Sequence, residues 1–552
     1  MTGSEAGPLA RRSGDLRRLA DERWDLVVVG GGVVGAGILL DAASRGLRVA
    51  LLEQDDVASG TSGRSSRLIH GGLRYLEQLR VHLVREALDE RDRLLDLAPH
   101  LVRLVPLVFP LYGPPALARL GYGAGFVAYD LLGAARRGGR HRQLSREAVL
   151  ERVPMLRRAR LRGGIEYHDG IEDDARFALA VARTAVEDRG VEAIAVTRLR
   201  ADEVLEERGR AIGVRARDRL AGEEIVVRGE RIVDATGVWG AHAGPFGSGF
   251  GMRTVPSRGS HVVVPRARIP VQCGMTLRVP GRVVFLIPWP DAWIVGTTDI
   301  PDGGPPERTA ATAAEVDWLL DTVNDVLDVG LTRADLIGTY AGLRPLVGDA
   351  EHGSTVKISR EHRVHRDARG ITHVRGGKYT TYRIMAADTV DVALGDREAA
   401  MRRSQTADLP IRGAAGTAEL RRLASESARS HHLDAWRAER LIERHGTEAA
   451  GVLALGREHG LLRPLGDSPH LEAEVLWAAR RELALSLDDV LARRTRLAVE
   501  RADRGAAVAS RVAEILGAEF GWDAARRAAE VASYLDSARR LYGVPGEDRR
   551  ER

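Results

Sequence analysis

The chain reads as an α/β protein: a nucleotide-binding parallel sheet interleaved with an antiparallel β-rich part, followed by an all-α C-terminal part. Three observations predict this. The stretch Trp24–Glu53, WDLVVVGGGVVGAGILLDAASRGLRVALLE, runs strand, glycine turn, helix, strand. The stretch Val255–Ile300 is dense in β patterns, HVVVP, RVVFLIPW and WIVGTTD. Beyond about Gln405 strands vanish, and Ala, Leu, Arg and Glu dominate in amphipathic runs such as Leu471–Leu485 and Ala506–Leu516.

Leu26–Val29 is a short β-branched run suited to a strand buried on both faces. Gly30, Gly32 and Gly35 then form G-x-G-x-x-G. The first permits a tight turn, the second a close backbone approach to a pyrophosphate, the third tight packing of the following helix. That helix runs to about Ser44 and stops at Gly46, and its N-terminus offers free N–H groups and a positive dipole end to phosphates. Arg48–Leu52 is the second strand. Glu53 ends it, 18 residues beyond Gly35, near the roughly 20 expected of the acid that holds a ribose 2′-hydroxyl. The stretch therefore predicts a dinucleotide and disfavours a 2′-phosphate such as that of NADP. It does not separate FAD from NAD.

The 552 residues suffice for about two to four domains and a sizeable core. Hydrophobic residues make up 44% and charged residues 29%, the balance of an ordinary globular chain. The single cysteine, Cys273, excludes a disulfide framework and a multi-cysteine metal site. It leaves one thiol for covalent cofactor attachment, beside the plainer reading of a buried structural cysteine. No metal is expected, because His431-His432 and His362/His365 have no acidic or cysteine framework around them. The net charge of +5 is arginine-rich and spread along the chain. It fits attraction to an anionic ligand or lipid surface and sets no expectation of nucleic acid. No run approaches about 18 uninterrupted apolar residues, and the N-terminus has arginines but no apolar signal core. The expected location is the cytoplasm, with a peripheral position on the inner face of the cell membrane as a candidate. Met1 to about Ala20 reads as a mobile, charged lead-in.

After Glu53 comes QDDVASGTSGRSSRLIHGGLRYLE, Gln54–Glu77. Small and hydroxyl residues dominate Ala58–Ser66, a loop able to wrap a phosphate-bearing cofactor with N–H groups and hydroxyls, which assigns Thr61, Ser62 and Ser66 to the cofactor. A plain surface loop is the alternative, and the dense cluster His70, Gly71, Gly72, Arg74 and Tyr75 that follows speaks against it. Val81–Ala98 has helical spacing and stops before Pro99. Val102–Leu111 reads as strand. Leu117–Leu132 mixes apolar and aromatic residues with glycines ahead of Arg136, Arg137, Arg140 and Arg142. It is either an amphipathic membrane-surface element or a buried helix with a basic loop after it. A helix over about Ala175–Glu187 follows acids at its N-terminal end. Val191–Val196 is a strand, Ala201–Val227 a surface hairpin, and Arg231–Thr236 a strand ending in the turn Ala235, Thr236, Gly237. Thr312–Leu327 is helical. Ile371–Ala387 repeats the strand–glycine–helix pattern, with Gly376 and Gly377 opening the helix. Gly30–Gly35, Ala235–Gly237 and Gly376–Lys378, three separated segments converging on one ligand, fit FAD better than NAD, which needs one contiguous unit.

Taken together, the glycine turn, SGRSSRLIHGGLRYLE (Ser62–Glu77), IVDATGVW (Ile232–Trp239), RGSHVVVP (Arg258–Pro265), FLIPW with VGTTD (Phe285–Asp299), AGLRPL (Ala341–Leu346) and GGKYTTYR (Gly376–Arg383) resemble the FAD-dependent glycerol-3-phosphate dehydrogenases. LSLDDVLARRTRLA (Leu485–Ala498) is similar to the signature of that family's C-terminal helical domain. The resemblance covers roughly Trp24 to Leu541. It implies oxidation of sn-glycerol 3-phosphate to dihydroxyacetone phosphate, with hydride passing to the flavin N5 and electrons then to quinone at a membrane surface. A smaller group of the family uses oxygen and releases peroxide. An amino-acid oxidase of the same fold is a further alternative, and a homodimer is a candidate assembly. The implied layout is 1–20 as a flexible segment and 21–400 as an FAD-binding Rossmann-type domain interleaved with an antiparallel-sheet substrate domain (about 100–165 and 250–350). An all-α C-terminal domain, 405–545, completes it.

A phosphate dianion calls for permanently charged planar donors. The positions matching the family's pattern are Arg74, Arg344 and Arg360, with Lys378 as a further cation. An isolated arginine is usually a solvated surface charge, but Arg344 lies between Leu343 and Pro345, and Lys378 follows two glycines. The hydroxyl proton needs a base within hydrogen-bond reach and with a pKa near the working pH, which points to histidine. His70 and His261 both lie in motif stretches, and both are candidates. Tyr75 either lines the pocket or packs beneath the flavin. Lys378, or the N–H groups of Gly377 and Lys378, can stabilise the reduced flavin at its N1–C2 carbonyl edge. His70, Gly72 and Val196 complete the cofactor set.

Overall fold

The protein is described by a computed structural model over residues 7–72, 80–113, 115–188, 192–241, 244–247, 254–279, 282–348 and 361–547, with the backbone alone for 115–121. Arg74, Tyr75 and Arg360 lie outside the described residues.

The first sheet has eight strands among the described residues. Arg23–Val29 pairs in parallel with Val49–Leu52 on one side and Glu224–Asp234 on the other, and Val49–Leu52 pairs in parallel with Ala193–Val196. Leu26, Val27 and Val28 are fully buried, as parallel strands covered on both faces require. Thr372–Gly376 extends the sheet beyond Glu224–Asp234, also in parallel. The helix Val33–Ser44 lies between the helices Asp174–Asp188 and Tyr382–Leu394. Gly37 allows the second approach, since a Cβ there would stand 2.9 Å from the Tyr382 ring.

The second sheet has ten strands among the described residues and is antiparallel except where Gly274–Val279 pairs in parallel with Val102–Tyr112. Its long strand Thr254–Pro265 sits between Ala292–Gly296 and Gly338–Val347, with His261 opposite Gly296 on one side and Tyr340 on the other. This register brings His261 and the Arg344 strand together. The helix Ala313–Val326 covers the sheet and starts on a full capping box from Thr312 and Glu315. The C-terminal helices run from Thr417–His431 to Ala524–Tyr542. Their core is continuous with the second sheet: Leu441, Val475 and Leu516 belong to the same buried cluster as Leu107, Ile287 and Tyr340.

The structure corrects the sequence reading in two places. The segment expected as a mobile lead-in contains a helix, Pro8–Asp21. Leu19 is fully buried, and Arg12 is anchored by Asp218 at 2.9 Å and the carbonyl of Thr197 at 2.9 Å. The helix expected to open at Gly376 and Gly377 begins at Tyr382. Both glycines have φ near 79° (78° and 79°), in the left-handed region, so the chain turns before the helix can start. Leu117–Leu132 is helical over Pro115–Tyr129 and continues as a π-helical turn, Asp130–Ala134. It is neither fully buried nor uniformly exposed: Phe126 and Tyr129 point into the core, while Val127 and Leu131 face outward. Among the described residues no helix is long and apolar enough to cross a membrane.

Candidate active site

One cavity with a volume near 1550 Å³ lies where the two sheets meet. Its first wall is the glycine turn. Gly30 has φ of 114°, and a Cβ there would stand 2.6 Å from the carbonyl oxygen of Ala235. A Cβ on Gly35 would fall 1.8 Å from the Gly30 carbonyl, so Gly35 is a packing residue, as its place in the motif suggests. Glu53 faces the turn: Gly31 N–H donates to Oε2 at 2.6 Å and Asp55 N–H to Oε1 at 2.8 Å. Burial pushes the Glu53 carboxyl up to about 7, against the pull of those two N–H groups. Val196 is buried, and its carbonyl accepts from Glu53 N–H at 2.9 Å. The neighbouring wall is supplied by Leu199–Asp202.

The hydroxyl-rich loop forms the second wall, and each of its predicted side chains has a partner. Ser62 Oγ accepts from Val33 N–H at 2.9 Å, at the start of the helix after the glycine turn. Thr61 donates to the carbonyl of Leu343 at 2.6 Å, tying the loop to the strand that bears Arg344. Ser66 Oγ lies 2.8 Å from His261 Nε2. Ala235, Thr236 and Gly237 complete this end. Asp234 holds their turn, accepting from Thr236 N–H at 3.1 Å and from the Thr236 hydroxyl at 2.6 Å. Burial favours its neutral form, but Arg375, His373 and Thr236 reverse this and keep Asp234 ionised.

The other end gathers the predicted chemistry. His261 is 2% exposed and stacked on Tyr340, with ring centroids 4.6 Å apart and planes 12° apart. Burial, then the charges of Arg344 and Arg67, hold its pKa well below the ordinary value, so the ring is neutral. Arg344 donates to the carbonyl of Thr298 and to the hydroxyl of Thr297, each at 3.1 Å. Gly259 leaves room for this side chain, because a Cβ there would stand 2.5 Å from its Nη2. Gly72, Gly376, Gly377 and Lys378 line the same cavity. His70 also lines it, with its N–H 3.3 Å from Thr380 Oγ1 and its ring against Phe285 at 6.0 Å.

Sequence reasoning missed the aromatic lining: Phe109, Tyr122, Phe126, Tyr167 and Phe285. Period-2 alternation along Val102–Tyr112 and Leu161–Glu172 could have marked Phe109 and Tyr167 as inward-facing, but not as facing this cavity. It also missed Asp169, buried on Tyr129 at 2.9 Å and Arg91 at 3.3 Å, whose pKa burial raises to about 6. Cys273 is buried in a separate core cluster and does not line the cavity, which fits the structural reading of that thiol.

Comparison with known proteins agrees with this architecture. Residues 25–383 match the family described as FAD dependent oxidoreductase, and residues 404–527 the C-terminal domain of alpha-glycerophosphate oxidase. Glycerol-3-phosphate dehydrogenase 2 of Mycobacterium tuberculosis is 44% identical over 537 residues, covering 96% of this chain and 90% of that protein. The mitochondrial glycerol-3-phosphate dehydrogenase of Macaca fascicularis is 34% identical over 521 residues, covering 91% and 71%. The X-ray structure of glycerol-3-phosphate dehydrogenase from Bacillus halodurans complexed with FAD superposes with a TM-score of 0.78 at 25% identity, covering 96% of this chain and 97% of that one. The chain belongs to the FAD-dependent glycerol-3-phosphate dehydrogenase family.

Proposed function

We propose that this protein oxidises sn-glycerol 3-phosphate to dihydroxyacetone phosphate with FAD as cofactor. The observation that carries the proposal is a single cavity. It joins a dinucleotide cradle at one end to a buried neutral histidine and an arginine at the other. The residues fit FAD. The cradle at Gly30 and Gly32 is bare where a side chain would crowd Ala235 or Ser62, and the N-terminus of helix Val33–Ser44 opens beside it. Glu53 stands at the end of the second strand for a ribose hydroxyl, and Gly376–Lys378 close the far side.

When bound, FAD supplies the two-electron acceptor that an alcohol oxidation needs. The chain's own residues do the rest. Arg344 is anchored by Thr297 and Thr298, so its planar fork is fixed before a phosphate arrives. Lys378, and Arg74 and Arg360 by their place in the family's pattern, add positive charge. His261 takes the hydroxyl proton: it is neutral, and Tyr340 and Ser66 hold its ring at one orientation, although burial and the charges of Arg344 and Arg67 make it a weaker base than an ordinary histidine. His70 is assigned to the cofactor side and Tyr75 to the pocket lining. The buried setting strengthens each of these electrostatic contacts.

For the electron acceptor we favour quinone, on the ground that the similar proteins are named dehydrogenases. A peripheral membrane position is supported by Val127 and Leu131, 49% and 82% exposed on one helical stretch. Arg136 and Arg137 behind them pair with Asp89 and Asp96, so apolar area and not basic charge would carry such a contact.

The test is anaerobic. Glycerol 3-phosphate is added to the FAD-loaded protein and the visible flavin band is followed. Rapid bleaching is expected, with slow reoxidation in air and fast reoxidation by a soluble quinone. Bleaching by glycine, sarcosine or D-amino acids instead would move the protein to the amino-acid oxidases of the same fold. Fast reoxidation in air with peroxide would make it an oxidase.

A further inference from the structure

The segment Leu485–Ala498 belongs to the helical domain, yet its arginines reach out of it. The chain is wound as a π-helix over Asp489–Arg494, and Arg496 has φ of 62°, a left-handed conformation uncommon for a residue with a side chain. Arg493 and Arg494 both bond Asp56, Arg494 with a two-pronged pair at 2.7 and 2.8 Å. Arg496 donates to Asp173 at 2.7 Å, to Asp174, and to the carbonyl of Gly63 at 3.2 Å. Arg494, Arg496, Asp56 and Asp174 are all buried.

These contacts reach the hydroxyl-rich loop at its start, through Asp56, and in its second half, through the carbonyl of Gly63 and through Asp174, which packs against the loop's far end. Asp56 is where the loop begins. At its other end Asp174 shares its carboxylate: Oδ1 faces Arg496, and Oδ2 accepts Ser65 N–H at 2.8 Å. The next residue, Ser66, meets His261 Nε2 at 2.8 Å. Between the ends, Thr61 and Ser62 face the cavity. A run of glycine, serine and threonine has much conformational freedom to lose and little apolar area with which to hold itself. A buried arginine–carboxylate pair holds only when its geometry and remaining hydrogen bonds are satisfied, so it fixes one arrangement and penalises others.

We propose that the segment Leu485–Ala498 is a clamp that holds Asp56–Ser66 in its cofactor-wrapping shape before FAD binds, with Arg496 as the positioning residue for Ser65, Ser66 and, through them, His261. The helical domain is then part of the site's preorganisation and not an appendage. A loop ordered in advance raises FAD affinity because less ordering remains to be done on binding. The inference rests on the FAD reading above but not on the substrate.

Hydrogen–deuterium exchange of the intact protein tests it. In the flavin-free wild type, peptides over 56–66 are expected to exchange as slowly as those over 489–496. Fast exchange of 56–66 beside a protected 489–496 would overturn the clamp without any variant. Arg496→Lys keeps the charge and loses the fork. It is expected to speed exchange at 56–66 and to weaken FAD about tenfold or more in a fluorescence titration of the apoprotein. Arg511→Lys, on the Glu472 pair of the same domain, is the control and should change neither. A lowered melting temperature with unchanged FAD affinity and loop exchange would reduce Arg496 to a structural ion pair and sink the proposal. If Arg496→Lys does not fold, Asp56→Asn makes the same comparison from the other end of the loop. Tight FAD binding and a protected loop without bleaching by glycerol 3-phosphate would remove the substrate assignment and leave the clamp standing.

Discussion

Gly296→Ala tests the placement of His261 without touching its chemistry. A Cβ at Gly296 would lie 2.2 Å from His261 Cδ2 and 2.9 Å from its Cγ and Nε2. Carbon atoms in good contact rest about 3.5–4.0 Å apart. The ring has little room to retreat, because Tyr340 is stacked on it at 4.6 Å and both neighbours are fixed by strand register. Ring or strand must therefore move by about 1 Å or more, and the 2.8 Å contact with Ser66 is lost. Displacing a catalytic group by about 1 Å costs about 100-fold in rate, or about 2.7 kcal/mol in the barrier. Overpacking adds about 1–3 kcal/mol to the loss of stability. The assay is anaerobic stopped-flow reduction of the FAD-loaded variant by glycerol 3-phosphate, with a thermal melt and an FAD titration alongside. The expected result is reduction slowed about 100-fold in a folded variant that still binds FAD. A folded, FAD-loaded variant reduced within about threefold of the wild-type rate would refute His261 as the base.

Three further outcomes are expected. Arg344→Lys keeps the charge but loses the fork held by Thr297 and Thr298, so KM for glycerol 3-phosphate should rise about 10- to 100-fold with FAD affinity unchanged; an unchanged KM removes Arg344 from the phosphate site. Because burial holds Glu53 near 7, its ionised, accepting form is depleted below that pH, and FAD affinity should fall about fivefold between about pH 7 and about pH 6; Glu53→Gln should flatten this dependence, and a flat wild-type profile counts against a ribose contact. Burial lowers His100 to about 3 and His470 to about 4, so at intermediate pH the unfolded chain binds more protons. Each then withdraws about 1.4 kcal/mol per pH unit as pH falls below about 6.5. Glu53 and Asp169, raised to about 7 and about 6, run the opposite way, gaining stability as pH falls from those values toward about 4. Burial also holds His261 well below and Glu172 well above its ordinary value, which adds one group to each side. The melting temperature should therefore change little between about pH 6 and pH 5 and drop steeply below about pH 4.5, and a steady loss from pH 6.5 would show that the two sets do not oppose each other.

The parallel core was readable because its signals are local. Within thirty residues of Trp24 the β-branched run, the glycine spacing and the terminal acid each constrain the same unit, and the structure places the helix at Val33–Ser44 and the strand at Val49–Leu52. The misreadings have the same root. A charged N-terminal run looks solvated until Asp218, some two hundred residues away, takes Arg12. Two glycines before a helical pattern look like a helix start until both turn out to be left-handed. Local composition favours one conformation at each place, and a distant partner or a backbone torsion decides otherwise.

The site divides along the same line. Motif residues such as Ser66, His261 and Arg344 could be named from the chain, but their arrangement comes from sheet register. Gly259 and Gly296 admit the two side chains, and Tyr340 flanks the histidine only because it pairs with it across two strands. No spacing in the sequence encodes that pairing. Asp56 and Arg494 are a sharper case. Separated by 438 residues, they carry no shared periodicity, and a lone Asp–Asp pair after a strand reads as an ordinary turn. A buried aspartate is tolerated only with partners that satisfy it, and in the fold Arg493 and Arg494 are those partners for Asp56. The signature beyond Leu485 carries three closely spaced arginines, Arg493, Arg494 and Arg496, whose partners its own spacing does not name. Both sides of the contact are written in the chain, and only the fold shows that they meet.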